Sequence, residues 1–436
     1  MGSLRSIWEK LRENLWFVPT LMVVGAIVVA VVLIELDPIS SRARLTENWP
    51  RLFGAGAQGA RGLLAAIASS MITVAGVTFS ITVVALALAS SQYTSRILAN
   101  FMRDRANQSV LGVYVGVFAY CLVVLRTIRG GDEGVFVPAL AVLGAVLLAF
   151  VAIGFLIFFI HHIAESIQAT SVIETTAKET LLAVDRLFPA GLGEATETPT
   201  GDATQLESER ARDWTIVRAS RSGYIQAVDA EALFSVARDL DLIVRMESSV
   251  GDFVVESCPL AAVSPRPSGD EVARRVNMAF SVGRHRTVYQ DAGYGIRQIV
   301  DVALKALSPG INDTTTAINC IDFLGAILVR LAGRRIEPTH RSDGDRLRVI
   351  ARGPTFPDLL GESFDQIRQN AAGNVAVLTR LLQVLAILAA RLVDPRRRDA
   401  VSRQGDLVVR HAERTVPESL DLVTIHAAHH RVSSLP

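Results

Sequence analysis

Residues 62–95 read GLLAAIASSMITVAGVTFSITVVALALASSQYTS and contain no Asp, Glu, Lys or Arg. An α-helix rises about 1.5 Å per residue, so this stretch would be longer as a helix than the roughly 30 Å hydrocarbon core of a bilayer. The stretch therefore predicts a membrane-spanning helix, and its polar end at residues 90–95 is expected to leave the lipid.

Three more stretches, 14–34, 106–125 and 134–164, are also free of these charged residues. They predict spans at about 17–34, 110–125 and 135–160, and thus a domain of four transmembrane helices over 1–165. An even number of spans places both termini on one side of the membrane. The basic leader (Arg5, Lys10, Arg12) and a tail without disulfide spacing favour the cytoplasm, so we expect a multi-pass protein of the cell inner (plasma) membrane.

Composition excludes several classes of function. Hydrophobic residues make up 50% of the chain, the mean hydropathy is +0.35, and 44 Lys+Arg face 43 Asp+Glu. This balance argues against a nucleic-acid partner, which requires a basic surplus. No Gly-Lys pair, Gly-x-Ser-x-Gly elbow or His-Glu-x-x-His motif is present, so we predict no cofactor and favour a protein that is not an enzyme.

Small and hydroxyl side chains recur along one face of the second span. The members of this stripe are Ser69, Thr73, Gly76, Ser80, Ala87 and Ser91, spaced by three or four residues or their sum. Such residues let membrane helices approach closely, which favours a packing face. The alternative is the wall of a pore built from several copies of the chain.

A polar cluster marks the end of the fourth span. His161 and His162 lie four and three residues before Glu165, so either histidine can meet this carboxylate on a helix. The simpler interpretation is a helix leaving the lipid, and the alternative is a site for a cation or a proton at the membrane mouth. An amphipathic pattern continues over 166–188 and predicts a helical stalk.

The remainder predicts a soluble α+β domain. Residues 189–212 have the composition of a linker, and 213–263 predict a small β-rich subdomain, similar to a barrel-sandwich, with a closing hairpin at 251–260. It contains no lysine, which excludes a lipoyl or biotin arm. Residues 264–436 predict a mainly helical cytoplasmic domain.

Polar residues gather around a predicted helix-turn-helix in this last domain. The candidates for binding a ligand or ion are Arg297, Asp301, Asn312, Asp313, Asn319 and Asp322. Oxygen ligands of this kind suit a cation, and free helix amides suit an anion. Helix capping and ion pairing are the favoured alternative. Three histidines at 426, 429 and 430 share a face but lack a nearby acidic or cysteine partner, so the sequence leaves a metal undecided.

Three motifs together resemble one family. They are GVTFSITVVALALASSQ at 76–92, RQIVDVALKALSPGIND at 297–313 and RGPTFP at 352–357. The chain is similar along nearly its whole length to the bacterial predicted membrane proteins that contain domain of unknown function 2254. The resemblance implies four spans followed by a soluble tail, and it brings no substrate or activity. Thr314 stands where the family usually has proline.

Two functional hypotheses follow. The first is a homo-oligomeric channel or transporter in the lipid bilayer, whose cytoplasmic domain senses a small ion or metabolite. The second is a non-transporting membrane scaffold or signalling protein, whose cytoplasmic domain docks a partner protein. The first hypothesis requires the stripe to face a pore, and the second requires it only to pack against other helices.

Overall fold

The computed structural model describes residues 16–37, 56–92, 104–129, 136–166, 168–188, 213–266, 269–334, 336, 340–344 and 346–433. The chain divides into two compact units, Met1–Ser171 and Val172–Pro436. The basic leader, residues 93–95 of the second charge-free stretch and the predicted linker at 189–212 lie outside the described residues. The predicted domain boundaries stay a prediction.

The N-terminal unit contains four apolar helices. They are α1 (Phe17–Leu36), α2 (Ala57–Gln92), α3 (Arg105–Thr127) and α4 (Ala139–Ser166). The most apolar 18-residue windows of these helices have mean hydropathies of 2.9, 2.2, 2.0 and 2.9, and each helix is long enough to cross a bilayer. Each coincides with one of the four predicted spans, although α2 begins earlier than its charge-free stretch and includes Arg61.

Helix α3 forms the centre of this unit and packs against α1, α2 and α4. Its buried apolar side chains include Val110, Val117, Cys121 and Val124. In the most apolar window of α3, 56% of the residues are buried, compared with 6% in α1. Most of the surface of α1 is therefore free to contact lipid.

Side chains connect the helix ends. The Asp37 carboxylate, just after α1, accepts a hydrogen bond from the Leu140 amide at the start of α4 (3.1 Å). The Arg61 guanidinium, early in α2, donates to the carbonyl of Ile128 after α3 (2.8 Å). These contacts place the end of α1 beside the start of α4, and the start of α2 beside the end of α3, so α1 and α4 run in opposite directions, as do α2 and α3.

A glycine allows α3 to approach α1 closely. A Cβ atom at Gly112 would lie 2.6 Å from Sδ of Met22, 3.1 Å from Cα of Pro19 and 3.2 Å from Cβ of Met22. The thioether can move aside, but the other two atoms move only with the helix backbone. Gly154 of α4 offers a contrast, because a Cβ atom there would meet nothing within 4 Å.

We therefore expect Gly112→Ala to lower the thermal stability of the detergent-solubilised protein. Overpacking in a tight interface costs about 1–3 kcal/mol. Gly154→Ala is the matched control, and it should be neutral or stabilise by up to about 1 kcal/mol because alanine restricts the unfolded chain. Equal unfolding temperatures for the two variants would contradict a close α1–α3 contact.

The C-terminal unit combines helices with two sheets. Its helices are α5 (Ala169–Leu187), α6 (Ala230–Asp239), α7 (Glu271–Ala279), α8 (Ala292–Ala306), α9 (Thr314–Ala332), α10 (Phe356–Asn370), α11 (Val375–Ala389), α12 (Pro395–Thr415) and α13 (Ser419–Ser433). Its strands are β1 (Thr215–Arg218), β2 (Gly223–Val228), β3 (Ile243–Met246), β4 (Phe253–Val254), β5 (Pro259–Ser264), β6 (Phe280–Gly283), β7 (His340–Asp343) and β8 (Arg346–Ile350).

The larger sheet has the strand order β1-β5-β3-β8-β7, and the smaller one has the order β4-β2-β6. The pairing of β3 with β8 is parallel, and the other pairings are antiparallel. The prediction of a sheet-containing region is confirmed, but β6, β7 and β8 come from outside 213–263. The predicted hairpin at 251–260 is wrong, because β4 pairs with β2 whereas β5 pairs with β1 and β3.

Among the described residues, five helices rather than four are long and apolar enough to cross a membrane. The fifth is α9, whose most apolar 18-residue window has a mean hydropathy of 1.5. Sequence analysis places a helix at this position but treats it as part of the soluble domain. Its side chains at Cys320, Leu324, Ile327 and Leu328 are fully buried, and α9 packs on α8 and α11.

Candidate functional site

The stripe of α2 faces away from the rest of its own unit. Ser69, Thr73, Gly76, Ser80 and Ala87 are all exposed, and a Cβ atom at Gly76 would meet nothing within 4 Å. The side chain of Ser91 lies outside the described residues. The Thr73 hydroxyl donates to the carbonyl of Ser69 (2.8 Å), which satisfies this hydroxyl within the helix.

A different face of α2 contacts α3. Leu64, Ala68, Met71, Ala75 and Thr78 are the buried residues of that face. Successive residues of an α-helix are about 100° apart, so the buried face and the stripe lie on opposite sides of α2. Among the described residues, none of the other helices of the unit covers the stripe.

The cluster at the end of α4 includes a residue that sequence analysis did not connect with it. Nε2 of His162 lies 2.5 Å from Oδ2 of Asp104, which precedes α3. The other oxygen of Asp104 accepts a hydrogen bond from the Ala106 amide and caps α3 (2.9 Å). His161 and Glu165 are exposed and 3.8 Å apart. The structure thus pairs one histidine within its helix and joins the other to a different helix.

Four of the six polar candidates in the C-terminal unit make separate contacts. Arg297 pairs with Asp301 along α8 (2.8 Å), and Asp322 of α9 pairs with Arg380 of α11. Asp313 caps α9 by accepting hydrogen bonds from the amide and hydroxyl of Thr316. These hydrogen bonds hold the pKa of Asp313 below its usual value.

The other two candidates lie near this cap. Asn312 adopts a left-handed conformation (φ 50°) in the turn before α9, and Asn319 is half-buried within that helix. Within the described part of the chain, no group of three or more His, Cys, Asp or Glu side chains is arranged to hold a metal ion. Two of the three histidines of α13 instead meet carboxylates of α12, in the pairs His426–Glu413 (3.1 Å) and His429–Asp406 (2.9 Å).

A denser charged cluster surrounds the start of α8. The Arg286 guanidinium donates two hydrogen bonds to Asp291 (2.8 and 3.0 Å), whose carboxylate also caps α8 by accepting from the Tyr294 amide. An oxygen of Glu362, on α10, lies 3.0 Å from the position that a Cβ at Gly293 would occupy. The glycine therefore lets a second carboxylate approach the first turn of the helix.

The pKa of Glu362 is raised, and burial is the largest cause. Arg286 and Arg297 oppose the shift, whereas Asp291 and Asp301 add to it. Three carboxylates thus share two guanidinium groups, which leaves one excess negative charge in a partly buried place. Glu362 is the group on which a proton relieves this excess.

The helix predicted as a stalk, α5, contacts α8 and the end of α9. The Asp185 carboxylate of α5 accepts hydrogen bonds from Arg330 and Arg334 at the end of α9. These contacts lower the pKa of Asp185, and the hydrogen bond from Arg330 is the largest cause. A Cβ at Gly295 would overlap Oγ1 of Thr180, so α5 and α8 are in close contact.

Sequence analysis missed Asp104, Arg286, Asp291 and Glu362. Asp104 had a usable signal, because an aspartate just before a charge-free stretch is a good helix cap. Glu362 lies far from Asp291 in sequence and had no such signal.

Four long apolar helices, with α3 at their centre, and a second compact unit define a multi-span helical membrane protein. The chain belongs to the family described as predicted membrane protein (DUF2254), whose model matches residues 12–387. It is 34% identical over 441 residues to the uncharacterized protein Mb1321c of Mycobacterium bovis, and the match covers 99% of this chain and 82% of that protein. Uncharacterized protein Rv1290c of Mycobacterium tuberculosis matches with the same identity and coverage. No solved structure matches the chain.

We expect Glu362→Gln to stabilise the full-length protein at pH 8. Because folding raises the pKa of Glu362, its contribution to stability is greatest below the unfolded-state value of about 4.3 and is lost as the pH rises through the folded-state value. The extra stability of the Glu362→Gln variant over the wild type should therefore shrink as the pH falls towards about 4. The difference in unfolding temperature between the two proteins, measured from pH 8 to about pH 4, tests this expectation. Glu256→Gln, at an exposed position, is the matched control, and an identical pH profile for both variants would refute the role of Glu362.

Proposed function

We propose that the protein is a homo-oligomeric channel or transporter in which copies of α2 face one another across a central axis. The observation that carries the proposal is the exposed stripe of α2, which lies opposite the face that contacts α3. Hydroxyl groups in lipid gain no hydrogen bonds from their surroundings. The same groups can line a narrow pore or a contact between copies.

The proposal extends to the cytoplasmic side. We place both termini in the cytoplasm and the four-span part, 1–165, in the inner membrane. The C-terminal unit would sense a small ion or metabolite through the polar residues around α8 and α9. Such a ligand changes the state of the membrane part only if it binds one arrangement of the protein more tightly than another.

The scaffold hypothesis is the second candidate, and one observation favours it. Gly76 and Ala87 of the stripe are exposed and small, which suits close packing against a helix of another chain without any open path. In that case the cytoplasmic unit would dock a partner protein. The two hypotheses share the oligomer and differ in whether solutes pass through it.

We also propose that α9 does not span the membrane. Its apolar surface is covered by protein, since α8 and α11 pack against it. Arg330 near its end is paired with Asp185, and Asp322 within it is paired with Arg380. A helix buried among other helices can be as apolar as a short transmembrane helix, because neither kind of helix exposes its surface to water.

Replacing Thr73 and Ser80 together by leucine should reduce solute flux severalfold, because two bulky apolar side chains would narrow the path and remove its hydroxyl lining. The measurement is potassium and chloride flux into proteoliposomes. Ser70→Leu is the matched control, since Ser70 is exposed on the same helix but about 100° away from Ser69.

Size measurement in detergent separates the two hypotheses. Lower flux with unchanged oligomer size supports a pore. Dissociation of the oligomer, with no flux in the wild type, supports the scaffold. Flux that is equal in the double variant and in the wild type would count against a pore lined by α2.

The proposed topology predicts that both ends of α9 lie on one side of the membrane. Ile311→Cys and Arg341→Cys flank this helix at exposed positions, and native Cys258 is exposed in the same unit. All three thiols should react with a membrane-impermeant maleimide from the cytoplasmic side. If the cysteine at 341 reacts from the opposite side to Cys258, α9 crosses the membrane.

A further inference from the structure

A groove lies between α5 and α9 in the C-terminal unit. Its volume is about 600 Å³, which lies within the roughly 300–1,000 Å³ range of small-molecule sites. Ala326, Arg330 and Gly333 on its rim are exposed, so a dissolved molecule can reach it. The residues that line the groove are Leu181, Asp185, Ala326, Val329, Arg330, Gly333 and Arg334.

The walls of the groove are small and apolar. Leu181 comes from α5, and Ala326 and Val329 come from neighbouring turns of α9. A Cβ atom at Gly333 would meet nothing within 4 Å, so the groove stays open at the end of α9. Apolar walls of this kind suit the carbon skeleton of an organic molecule.

Two guanidinium groups converge in this groove. Arg330 donates to both oxygens of Asp185 (2.7 and 2.9 Å), and Arg334 donates to one of them (2.6 Å). A guanidinium group has five N–H donors, so both arginines keep donors that Asp185 does not use. Two cations and one carboxylate also leave a positive charge in excess among the residues that line the groove.

The end of α9 does not depend on these two arginines for its cap. The last carbonyl groups of a helix attract cations. Here the Arg397 guanidinium donates to the carbonyls of Ala332 (3.2 Å) and Arg334 (2.9 Å). The side chains of Arg330 and Arg334 are directed instead to Asp185, in the groove.

We propose that the groove binds an organic phosphate. Its anionic group contacts Arg330 and Arg334, because arginine forms paired hydrogen bonds with phosphate oxygens. Its apolar part lies against Leu181 and Val329. A phosphate monoester carries about −1.5 to −2 charges at pH 7, so it can compete with the single charge of Asp185 for the two cations. Soluble metabolites and lipid headgroups both carry such a group.

This inference rests on the proposed sensing role of the C-terminal unit, for which it names the class of ligand. Leu181 and Asp185 belong to α5, which begins three residues after α4 ends. A phosphate that competes with Asp185 weakens the contact between α5 and α9. The ligand therefore favours one arrangement of α5 over another, as a sensed ligand must.

Binding of phenyl phosphate to the full-length protein in detergent tests the proposal, by calorimetric titration at pH 8. Asp185→Asn should bind it at least about tenfold more tightly than the wild type, because the competing charge is removed. Arg330→Gln should bind it at least about tenfold more weakly. Arg346→Gln is the matched control and should bind it as the wild type does, because Arg346 and Arg348 likewise share one carboxylate, that of Asp241.

Two further titrations test the apolar walls. Ala326→Phe keeps every charge but fills the groove from an exposed position, so it should abolish binding of phenyl phosphate. Inorganic phosphate should bind the wild type at least about fivefold more weakly than phenyl phosphate, because it has no apolar part. Three results would each overturn the proposal: no binding of phenyl phosphate by the wild type and Asp185→Asn, equal losses in Arg330→Gln and Arg346→Gln, or full binding by Ala326→Phe.

Nanodiscs distinguish the two sources of the phosphate. A lipid ligand predicts severalfold weaker binding of phenyl phosphate in nanodiscs that contain phosphatidate than in nanodiscs of phosphatidylcholine alone, because the lipid competes. Equal affinity in the two nanodiscs supports a soluble ligand. These titrations require no solute flux, so failure of the groove is distinguishable from failure of the α2 pore.

Discussion

The absence of water from the hydrocarbon core is the constraint on which the N-terminal unit depends. Backbone amides and carbonyls there must bond within the protein, which requires helices and leaves their ends as the weak points. Asp104 caps α3, Arg61 binds the carbonyl that follows α3, and Asp37 binds an amide of α4. These residues satisfy exposed helix ends, and each also joins two helices, because Asp104 contacts His162 of α4 as well. The order of the bundle thus follows from the need to close its ends.

Local patterns made most of the helices predictable. Gaps in charge located the four apolar helices of the N-terminal unit, and Asp313 was recognisable as a cap because its partner is three residues away. The charged sites were less predictable, since their partners are distant in sequence. His162 has Glu165 nearby on its own helix, yet it contacts Asp104, which the packing of α3 against α4 brings closer. Glu362 meets the start of α8 only because α10 packs there and Gly293 lacks a side chain.

Helix α9 shows a limit of hydropathy as a guide. Its composition satisfies the length and polarity required of a span, whereas its contacts are those of a core helix. Hydropathy indicates only that a segment avoids water. A protein interior and a lipid bilayer both keep such a segment away from water, so hydropathy alone does not distinguish them. The charged side chains around α9 are more informative. Arg330 and Arg334 share Asp185, an arrangement that holds α5 against the end of α9 and gives these charges a partner.

The two faces of α2 connect the fold with the proposed function. On the inner face, the small residues Ala68 and Ala75 are buried and permit close approach of another helix, and Met71 is buried on the same face. If packing within the chain were the only demand, the outer face could be as apolar as the surface of α1. Instead it carries Ser69, Thr73 and Ser80, whose hydroxyls gain nothing from lipid. Polar groups on this second surface gain partners only where other polar groups or water meet them, and the proposed oligomer would provide that environment.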